Sequence, residues 1–161
     1  MCYLLLGCGI SNQAVKAYLE KQKIAFLLHD DHLPEFRKEL DFNAFTTVVK
    51  SPGISNENWI IDISRKLNKE IITDLELFYR LQPQKNYITV TGTNGKTTTV
   101  KLLHALLPDH DLGGNVGTPL FCFIDSPRDV IIEASSYMLE YTRDFHSRVN
   151  VFLNITPNHL N

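Results

Sequence analysis

A glycine-rich turn between an apolar run and an amphipathic run decides the fold of this chain. It reads Tyr87-Ile88-Thr89-Val90-Thr91-Gly92-Thr93-Asn94-Gly95-Lys96-Thr97-Thr98. The order strand, glycine turn, helix is the context that a phosphate-binding loop requires, because backbone N–H groups and a helix N-terminus then face the phosphate oxygens. In such a loop Lys96 can reach the β- and γ-phosphates and Thr97 can ligate Mg²⁺. Val90 stands where the strict G-x-x-x-x-G-K-[ST] pattern has its first glycine, so the bare pattern also allows an ordinary glycine turn. The strand-to-helix context favours phosphate binding.

Upstream of this loop, short apolar runs alternate with segments of helical periodicity. The apolar runs cover residues 2–6, 24–28, 45–49 and 71–73, and each ends at turn-forming or polar residues. Strands that alternate with helices indicate an α/β fold with a parallel sheet. We therefore predict a Rossmann-like domain over residues 1–85, with Ser55 and Asp74 as the caps of two of its helices.

A polar, proline-containing segment at residues 82–86 marks a predicted domain boundary. After it we predict strands at 87–91, 130–133 and 149–155, a helix near 97–107 and a loop around 113–115. Three strands would leave much of a nucleotide-binding sheet uncovered. Residues 86–161 are therefore expected to form the first part of a P-loop-type α/β ATPase domain that is truncated here.

Composition excludes several classes of protein. The chain has 161 residues, a formal charge of −2 and three cysteines without a C-x-x-C pair. These values disfavour a nucleic-acid binder, a disulfide framework and a thiolate zinc site. The apolar N-terminus lacks a basic region and is interrupted at Gly7, so it predicts neither a signal peptide nor a membrane span. We expect a cytoplasmic protein with no membrane partner.

The first turn, Gly7-Cys8-Gly9-Ile10-Ser11-Asn12, is similar to a dinucleotide-binding fingerprint, and Asp30 follows the second strand at a suitable distance. Asn12 replaces the third glycine, where it could cap the helix. This pattern leaves open a nicotinamide-dependent oxidoreductase and a plain strand-to-helix turn without a ligand.

An ordered series of motifs along the whole chain resembles the Mur ligases. The motifs are Gly7-Cys8-Gly9, Ser51-Pro52-Gly53-Ile54, Asp74-Leu75-Glu76-Leu77-Phe78, Gly92-Thr93-Asn94-Gly95-Lys96-Thr97-Thr98, Gly114-Asn115-Val116-Gly117, Glu133-Ala134-Ser135-Ser136-Tyr137-Met138-Leu139-Glu140 and Asn154-Ile155-Thr156-Pro157-Asn158-His159-Leu160.

The resemblance implies an ATP- and Mg²⁺-dependent enzyme of three domains, active in cytoplasmic peptidoglycan precursor synthesis and monomeric at full length. The activity implied is the ligation of D-glutamate to UDP-N-acetylmuramoyl-L-alanine through an acyl phosphate. Another Mur-type ligase is one alternative. A second is a catalytically inactive module that binds only a UDP-sugar or a nucleotide, and we expect the 161-residue chain alone to be inactive.

The resemblance also implies roles for individual residues. The ATP phosphates would contact Gly92, Thr93, Asn94, Gly95, Lys96, Thr97 and Thr98. The UDP-sugar would contact Ile10, Ser11, Asp30, Ser51, Pro52, Gly53, Asn115 and Ser135. The catalytic residues would be Lys96, Glu133 and His159, and the metal ligands Thr97, Glu133 and His159. Two of these positions also allow other interpretations from the residues alone, because Ser51-Pro52-Gly53 can be a plain turn and His159 a solvated side chain. Glu133 ends an apolar strand, where a buried carboxylate favours a nearby cation. The lysine that family members carbamylate would lie beyond Asn161.

Overall fold

Two parallel β-sheets, each of four strands, form the framework of the protein. The computed structural model describes residues 2–34, 39–115 and 117–156. Within these ranges, no helix has both the length and the apolar character needed to cross a membrane. The α/β class expected from the sequence is thus confirmed, and every strand pairing is parallel.

The first sheet has the strand order β2-β1-β3-β4. Its elements are β1 (Tyr3–Leu6), α1 (Ile10–Lys21), β2 (Phe26–His29), β3 (Thr47–Lys50), α2 (Trp59–Lys66), β4 (Glu70–Ile72) and α3 (Asp74–Leu81). Alternate residues of these strands face opposite sides of the sheet. One face packs against α1 and α3, while the other packs against Ile60 and Ile61 of α2.

The second sheet has the strand order β6-β7-β5-β8. Its elements are β5 (Tyr87–Thr91), α4 (Lys96–Leu106), β6 (Asp111–Gly114), a 3₁₀ helix (Leu120–Phe123), β7 (Val130–Glu133), α5 (Ser136–Leu139) and β8 (Val149–Phe152). Val100 of α4 covers one face through Val90 and Ile131. At the β8 end of the sheet, Val149 and Phe152 are exposed.

A single hydrophobic core joins the two sheets. It contains Leu5 and Val49 of the first sheet, Phe78 of α3, and Val130 and Ile132 of the second sheet. The ring of Phe78 lies 5.7 Å from that of Phe121 in the 3₁₀ helix and 6.4 Å from that of Tyr87 in β5, both edge to face. Helix α3 therefore packs against both sheets, with the side chains of residues 74–79 all buried.

The polar segment that follows α3 is an ordered joint. Lys85 is buried, and its ammonium donates to the carbonyl oxygens of Ser126 and Arg128, at 2.6 Å each. Asn86 donates from its backbone N–H and from its side-chain amide to the two carboxylate oxygens of Asp129, at 2.9 Å each. These hydrogen bonds attach the segment to residues 126–129, which precede β7.

The local predictions fail at a strand and at two helix caps. A loop was expected around residues 113–115, but residues 113 and 114 belong to β6 (Asp111–Gly114), so the second sheet has four strands among the described residues. Gly113 and Gly114 suggested a turn, but they permit a close approach between strands, since a Cβ at Gly114 would lie 2.3 Å from the carbonyl oxygen of Glu133.

The two cap predictions are wrong by a few residues. Asn58 caps α2 by accepting from the N–H of Ile60 at 2.9 Å, while Ser55 accepts from Glu57 in the preceding turn. Helix α3 has Thr73 as its N-cap residue, and Asp74 is its first helical residue.

Candidate functional site

The glycine-rich loop leads directly from β5 into α4. Gly95 is the N-cap residue of α4 and adopts the left-handed conformation, with φ of 85°. The first turn of a helix leaves its N–H groups without intrahelical partners. The loop therefore presents backbone donors at a helix N-terminus, as an anion-binding site requires.

Asn154, which follows β8, anchors this loop. Its side-chain oxygen accepts from the N–H of Asn94 at 3.0 Å, and its side-chain amide donates to the carbonyl of Asn94 at 3.0 Å. Its backbone carbonyl accepts from the N–H of Thr93 at 3.1 Å. The loop is thereby fixed against the neighbouring strand.

Lys96 folds back over its own loop. Its ammonium donates to the carbonyl oxygens of Gly92 at 2.5 Å and Thr93 at 3.0 Å. An ammonium group has three N–H donors, so one remains for another acceptor. The positive charge of Lys96 thus lies beside the backbone of Gly92 and Thr93.

Glu133 ends β7 beside the loop and is 1% exposed. One carboxylate oxygen accepts from the hydroxyl of Thr97 at 2.9 Å, and the other accepts from the amide of Asn115 at 3.4 Å. These interactions place a carboxylate and a hydroxyl side by side at the start of α4. Both are oxygen donors of the kind that Mg²⁺ prefers.

Two openings flank Lys96. A cleft of about 500 Å³ is lined by Lys96, Asn115, residues 135–137 of the α5 start, and residues 152 and 154–156 near the end of β8. A smaller opening of about 320 Å³ is lined by residues 93–98, Asn115 and Glu133. We call the larger one the loop cleft. Ser135 and Asn115, predicted as sugar-binding residues, thus lie beside the glycine-rich loop.

The strand order of the first sheet reverses between β1 and β3, and we call the space beside the turns that follow these two strands the crevice. Ligands of open α/β sheets bind at such points, beyond the carboxyl ends of the strands. The turn after β1 meets the turn after β3 there, because a Cβ at Gly9 would lie 2.8 Å from the hydroxyl oxygen of Ser51. The predicted turns Gly7-Cys8-Gly9 and Ser51-Pro52-Gly53 are therefore neighbours.

Asp30 holds the first of these turns in place. It is 8% exposed, and its oxygens accept from the backbone N–H groups of Cys8 at 2.8 Å and His32 at 2.9 Å. Asp30 therefore lies at the crevice, as predicted from its position after β2, and shapes the turn there.

Asp74 is buried behind the crevice, near the hydroxyl of Ser11. Burial raises the pKa of Asp74 to about 6, although hydrogen bonds from the N–H of Leu75 and from Ser11 oppose the shift. Ile10, in contrast, is 74% exposed. Ser11 thus lies near a buried carboxyl group, while Ile10 faces solvent.

Asn12 is buried and does not cap α1. Its side-chain amide donates to the carbonyl oxygens of Leu6, Gly7 and Val49, at 3.0, 3.0 and 3.1 Å. The N-cap residue of α1 is Gly9, which has no side chain. Asn12 therefore links β1 to β3 at the floor of the crevice.

The predicted site residues thus fall into two groups. Ile10, Ser11, Asp30 and residues 51–53 lie at the first sheet, whereas residues 92–98, Asn115, Glu133 and Ser135 line the loop cleft or the smaller opening beside it. His159 lies outside the described residues. Within the described ranges, no three His, Cys, Asp or Glu side chains cluster as a metal site would need.

Sequence reasoning missed Asn154 and Asp74 as site residues. Each lies two residues after the end of a strand, Asn154 after β8 and Asp74 after β4, and this position could have drawn attention to them. The sequence indicated Asn12 as a possible helix cap, but not its three contacts with backbone carbonyl groups.

Comparison with known proteins identifies a family. Residues 90–161 match the Mur ligase middle domain. A UDP-N-acetylmuramoylalanine–D-glutamate ligase of Natranaerobius thermophilus is 32% identical, covering 98% of this chain and 41% of the relative. Another with the same name, from a Hydrogenobaculum species, is 36% identical, covering 99% of this chain and 39% of the relative. The chain thus spans about two fifths of the length of these curated relatives.

Solved structures share the fold. A UDP-N-acetylmuramate:L-alanyl-gamma-D-glutamyl-meso-diaminopimelate ligase of Neisseria meningitides aligns with a TM-score of 0.56 at 16% identity, over 99% of this chain and 62% of that chain. A UDP-N-acetylmuramate-alanine ligase of Thermotoga maritima aligns with a TM-score of 0.54 at 21% identity, over 99% of this chain and 43% of that chain. From the middle-domain match and the relatives along nearly its whole length, we conclude that the chain belongs to the Mur ligase family.

Proposed function

We propose that this chain supplies the UDP-sugar-binding and phosphate-binding parts of an ATP-dependent ligase that joins D-glutamate to UDP-N-acetylmuramoyl-L-alanine. The observation that carries the proposal is the pairing of Thr97 with the buried Glu133, next to Lys96, at the carboxyl ends of β5 and β7. The names of the relatives support the choice of substrates. On this proposal residues 1–85 hold the UDP-sugar and residues 86–161 hold the ATP phosphates, in a cytoplasmic enzyme that is monomeric at full length.

The reaction must activate a carboxylate, because its negative charge repels nucleophiles and oxide is a poor leaving group. The alanyl carboxylate would attack the γ-phosphate of ATP, forming an acyl phosphate and releasing ADP. The amine of D-glutamate would then attack the carbonyl carbon, lose a proton and expel inorganic phosphate. Lys96 and the loop N–H groups would hold the phosphoryl group and stabilise its charge during transfer.

The donor set at Thr97 and Glu133 fits Mg²⁺. Among the described residues, the partners that Glu133 has for its side-chain oxygens are neutral, namely Thr97 and Asn115. A buried carboxylate without a positive partner favours a cation. Mg²⁺ usually takes one or two protein oxygens together with phosphate oxygens and water, so Thr97 and Glu133 would suffice as its protein ligands. When bound, the ion would neutralise phosphate charge. His159 remains a proposed ligand of a second ion.

The crevice of the first sheet suits a UDP-sugar. Its turns place Ile10, Ser11, Asp30 and residues 51–53 at the reversal of strand order, where nucleotides bind in this class of sheet. Asp30 already accepts two backbone N–H groups, yet each carboxylate oxygen has further acceptor capacity for a ribose hydroxyl. Asn115 and Ser135, beside the loop cleft, would then contact the sugar end of the substrate.

Lys96→Ala tests whether the glycine-rich loop binds the ATP phosphates while the crevice binds the UDP-sugar. In titrations of the chain with a non-hydrolysable ATP analogue plus Mg²⁺, the variant should bind the analogue about ten-fold more weakly or worse, because a charge-assisted phosphate contact is lost. Binding of UDP-N-acetylmuramoyl-L-alanine should change by less than about two-fold. Lys101→Ala, which removes an exposed lysine from the same helix, is the matched control. Equal analogue affinity in the Lys96 variant and the parent would refute the proposal, and NADH binding in place of the UDP-sugar would favour an oxidoreductase.

For a polypeptide of these 161 residues alone, we propose binding without ligation. Phosphoryl transfer requires three substrates in one oriented, water-poor site, and the relatives that match are more than twice as long. A coupled assay should therefore detect no ADP release that depends on both UDP-N-acetylmuramoyl-L-alanine and D-glutamate. Release that requires both substrates would show that the 161 residues are a complete catalyst.

A further inference from the structure

A cluster of five polar side chains connects the first sheet to the segment that follows α5. Asn56, in the turn after β3, donates from its amide to both oxygens of Glu140 at 2.7 Å. The hydroxyl of Tyr141 donates to the side-chain oxygen of Asn56 at 2.9 Å and accepts from the guanidinium of Arg65 at 2.7 Å. We call these four residues, together with Lys50, the bridging cluster.

Lys50 is the unusual member of this cluster. It is the last residue of β3, is 0% exposed, and its ammonium has no hydrogen-bond partner among the described residues. The ammonium lies 5.5 Å from the centre of the Tyr141 ring, in the geometry of a cation–π contact. Burial lowers the pKa of Lys50, and the charge of Glu140 opposes that shift.

A lysine in this position does not stabilise the folded state. An ammonium buried without a hydrogen bond costs free energy, and an apolar side chain of similar volume would avoid the cost. What the lysine provides is a specific position for the Tyr141 ring, because a cation–π contact depends on where the charge lies relative to the ring. The cluster thus defines a geometry at some expense of stability.

The cluster lies between the two candidate ligand sites. On one side, Lys50 and Asn56 flank the turn that contains residues 51–53 of the crevice. On the other side, Glu140 and Tyr141 directly follow α5, whose start, residues 135–137, forms a wall of the loop cleft. A buried hydrogen bond from the Thr73 hydroxyl to the carbonyl of Met138, at 3.0 Å, also holds α5 against the first sheet.

We propose that the bridging cluster is a positioning contact, through which Lys50 and Tyr141 set α5 and the loop cleft relative to the crevice and couple ligand binding at the two. The part that concerns ligands rests on the proposed function. If a bound UDP-sugar fixes the turn after β3 in one conformation, the contacts of the cluster also fix the position of residues 135–137. A nucleotide in the loop cleft then binds to a wall that is already fixed, and by linkage the reverse effect is equal.

The test compares the parent chain with Tyr141→Phe and Lys50→Met. Tyr141→Phe keeps the ring but removes the hydroxyl that joins Asn56 and Arg65, and Lys50→Met removes the charge with little change of volume. Tyr18→Phe is the control, because it removes a tyrosine hydroxyl from α1, away from the cluster. The affinity for a non-hydrolysable ATP analogue plus Mg²⁺ is measured with and without UDP-N-acetylmuramoyl-L-alanine.

In the parent and in Tyr18→Phe, the presence of one ligand should raise the affinity for the other by about five-fold or more. In Tyr141→Phe and Lys50→Met this factor should fall to about two-fold or less, while each affinity measured alone changes by less than about two-fold. A merely structural role would lower both affinities and leave the factor unchanged. Unchanged coupling in both variants, or two ligands that bind the parent independently, would overturn the proposal.

Hydrogen exchange separates this inference from the proposed function. If the parent binds neither ligand, the proposed function fails for this chain. The hydrogen-exchange rate of the α5 amides in the free protein then tests whether the bridging cluster positions α5. Exchange about five-fold faster or more in Tyr141→Phe than in Tyr18→Phe would support positioning. Equal exchange in the two variants would overturn it.

Discussion

Asp74 places an ionisable carboxyl group inside the core, at the carboxyl end of β4. One of its oxygens has no hydrogen-bond partner among the described residues, and its side chain is 2% exposed. Perturbed carboxyl groups of this kind cluster at functional sites, and this one lies near Ser11 at the proposed UDP-sugar crevice. The burial of Asp74 should lower the free energy of unfolding by a measurable amount.

Asp74→Asn should stabilise the protein at neutral pH. Burial raises the pKa of Asp74 from 3.8 to about 6, so the folded state binds more protons than the unfolded state between these values. The contribution of Asp74 to stability is therefore largest below pH 3.8 and is lost as pH rises through about 6. Because asparagine has no charge to desolvate, the variant should gain up to roughly 3 kcal/mol at pH 7.5.

Chemical denaturation of parent and variant across pH 4 to 8 checks this result. The gain should shrink toward zero at the acid end of the range. Asp62→Asn, on the exposed side of α2, is the control and should show no comparable gain. An Asp74 variant with the same stability as the parent at pH 7.5 would contradict the expected burial cost.

At the residue scale, local order in the sequence was enough to select side chains that the structure brings close together. Lys96, Thr97 and Glu133 follow or end strands, and their residue types suit phosphate and metal chemistry. Asn12 and Asn154 were harder, because their importance lies in backbone groups that are distant in the chain, such as the carbonyl of Val49. A pattern of residue types does not contain such contacts.

One carboxylate fixes an irregular segment to α3. Glu76 of α3 is fully buried and accepts from the backbone N–H groups of Arg143, Asp144 and Phe145, at 2.9, 3.0 and 3.1 Å. Arg80, one turn later in α3, donates to the same carboxylate at 2.8 Å. Burial opposes ionisation of Glu76, but these hydrogen bonds outweigh it and lower its pKa.

Glu76→Gln should therefore destabilise the protein by about 3 to 5 kcal/mol at neutral pH, because a buried charge network loses its centre. An amide also presents N–H donors to backbone N–H groups, which leaves donors unsatisfied. The contribution of Glu76 is present above the ordinary glutamate pKa of 4.5 and is lost as pH falls through the lowered value. The difference between parent and variant should thus narrow in acid.

Denaturation curves at pH 7 and below pH 4 provide the measurement, with Glu20→Gln on the exposed side of α1 as control. Hydrogen exchange should also accelerate at residues 143–145 in the Glu76 variant. A loss of stability no larger than that of the control would mean that the segment is held by its other contacts.

At the element scale, strands bounded by turn residues were predicted well and β6 was not. The residues of β6, Asp111-Leu112-Gly113-Gly114, lack the apolar character that reveals a strand. They form one because β7 offers a parallel partner and because glycine tolerates the close approach at Glu133. That condition belongs to tertiary structure, so propensity alone favoured a loop.

One hydrophobic cluster contains buried residues of both sheets. Phe121 of the 3₁₀ helix shows this, because its ring contacts Tyr18 of α1 at 5.4 Å and Phe78 of α3 at 5.7 Å, measured between ring centres. The sequence predicted a boundary at residues 82–86 from their polarity. It could not reveal that Lys85 is buried there or that α3 packs against both sheets, because these contacts join residues about 40 positions apart.

Phe121→Ala should therefore destabilise both sheets together. Removal of a buried phenylalanine ring costs about 3 to 5 kcal/mol, and here the lost contacts belong to α1 and α3 of the first sheet as well as to the 3₁₀ helix. Trp59 is the only tryptophan and reports on α2, while amide NMR signals of β7 report on the second sheet. In a denaturant titration both probes should follow one transition in the parent, and both midpoints should fall equally in the variant. Leu106→Ala, which truncates an exposed side chain at the end of α4, should leave both midpoints nearly unchanged. If the β7 signals were lost at lower denaturant while Trp59 kept its parental midpoint, the sheets would be independent folding units, and the shared core would contribute little to the coupling between the two ligand sites.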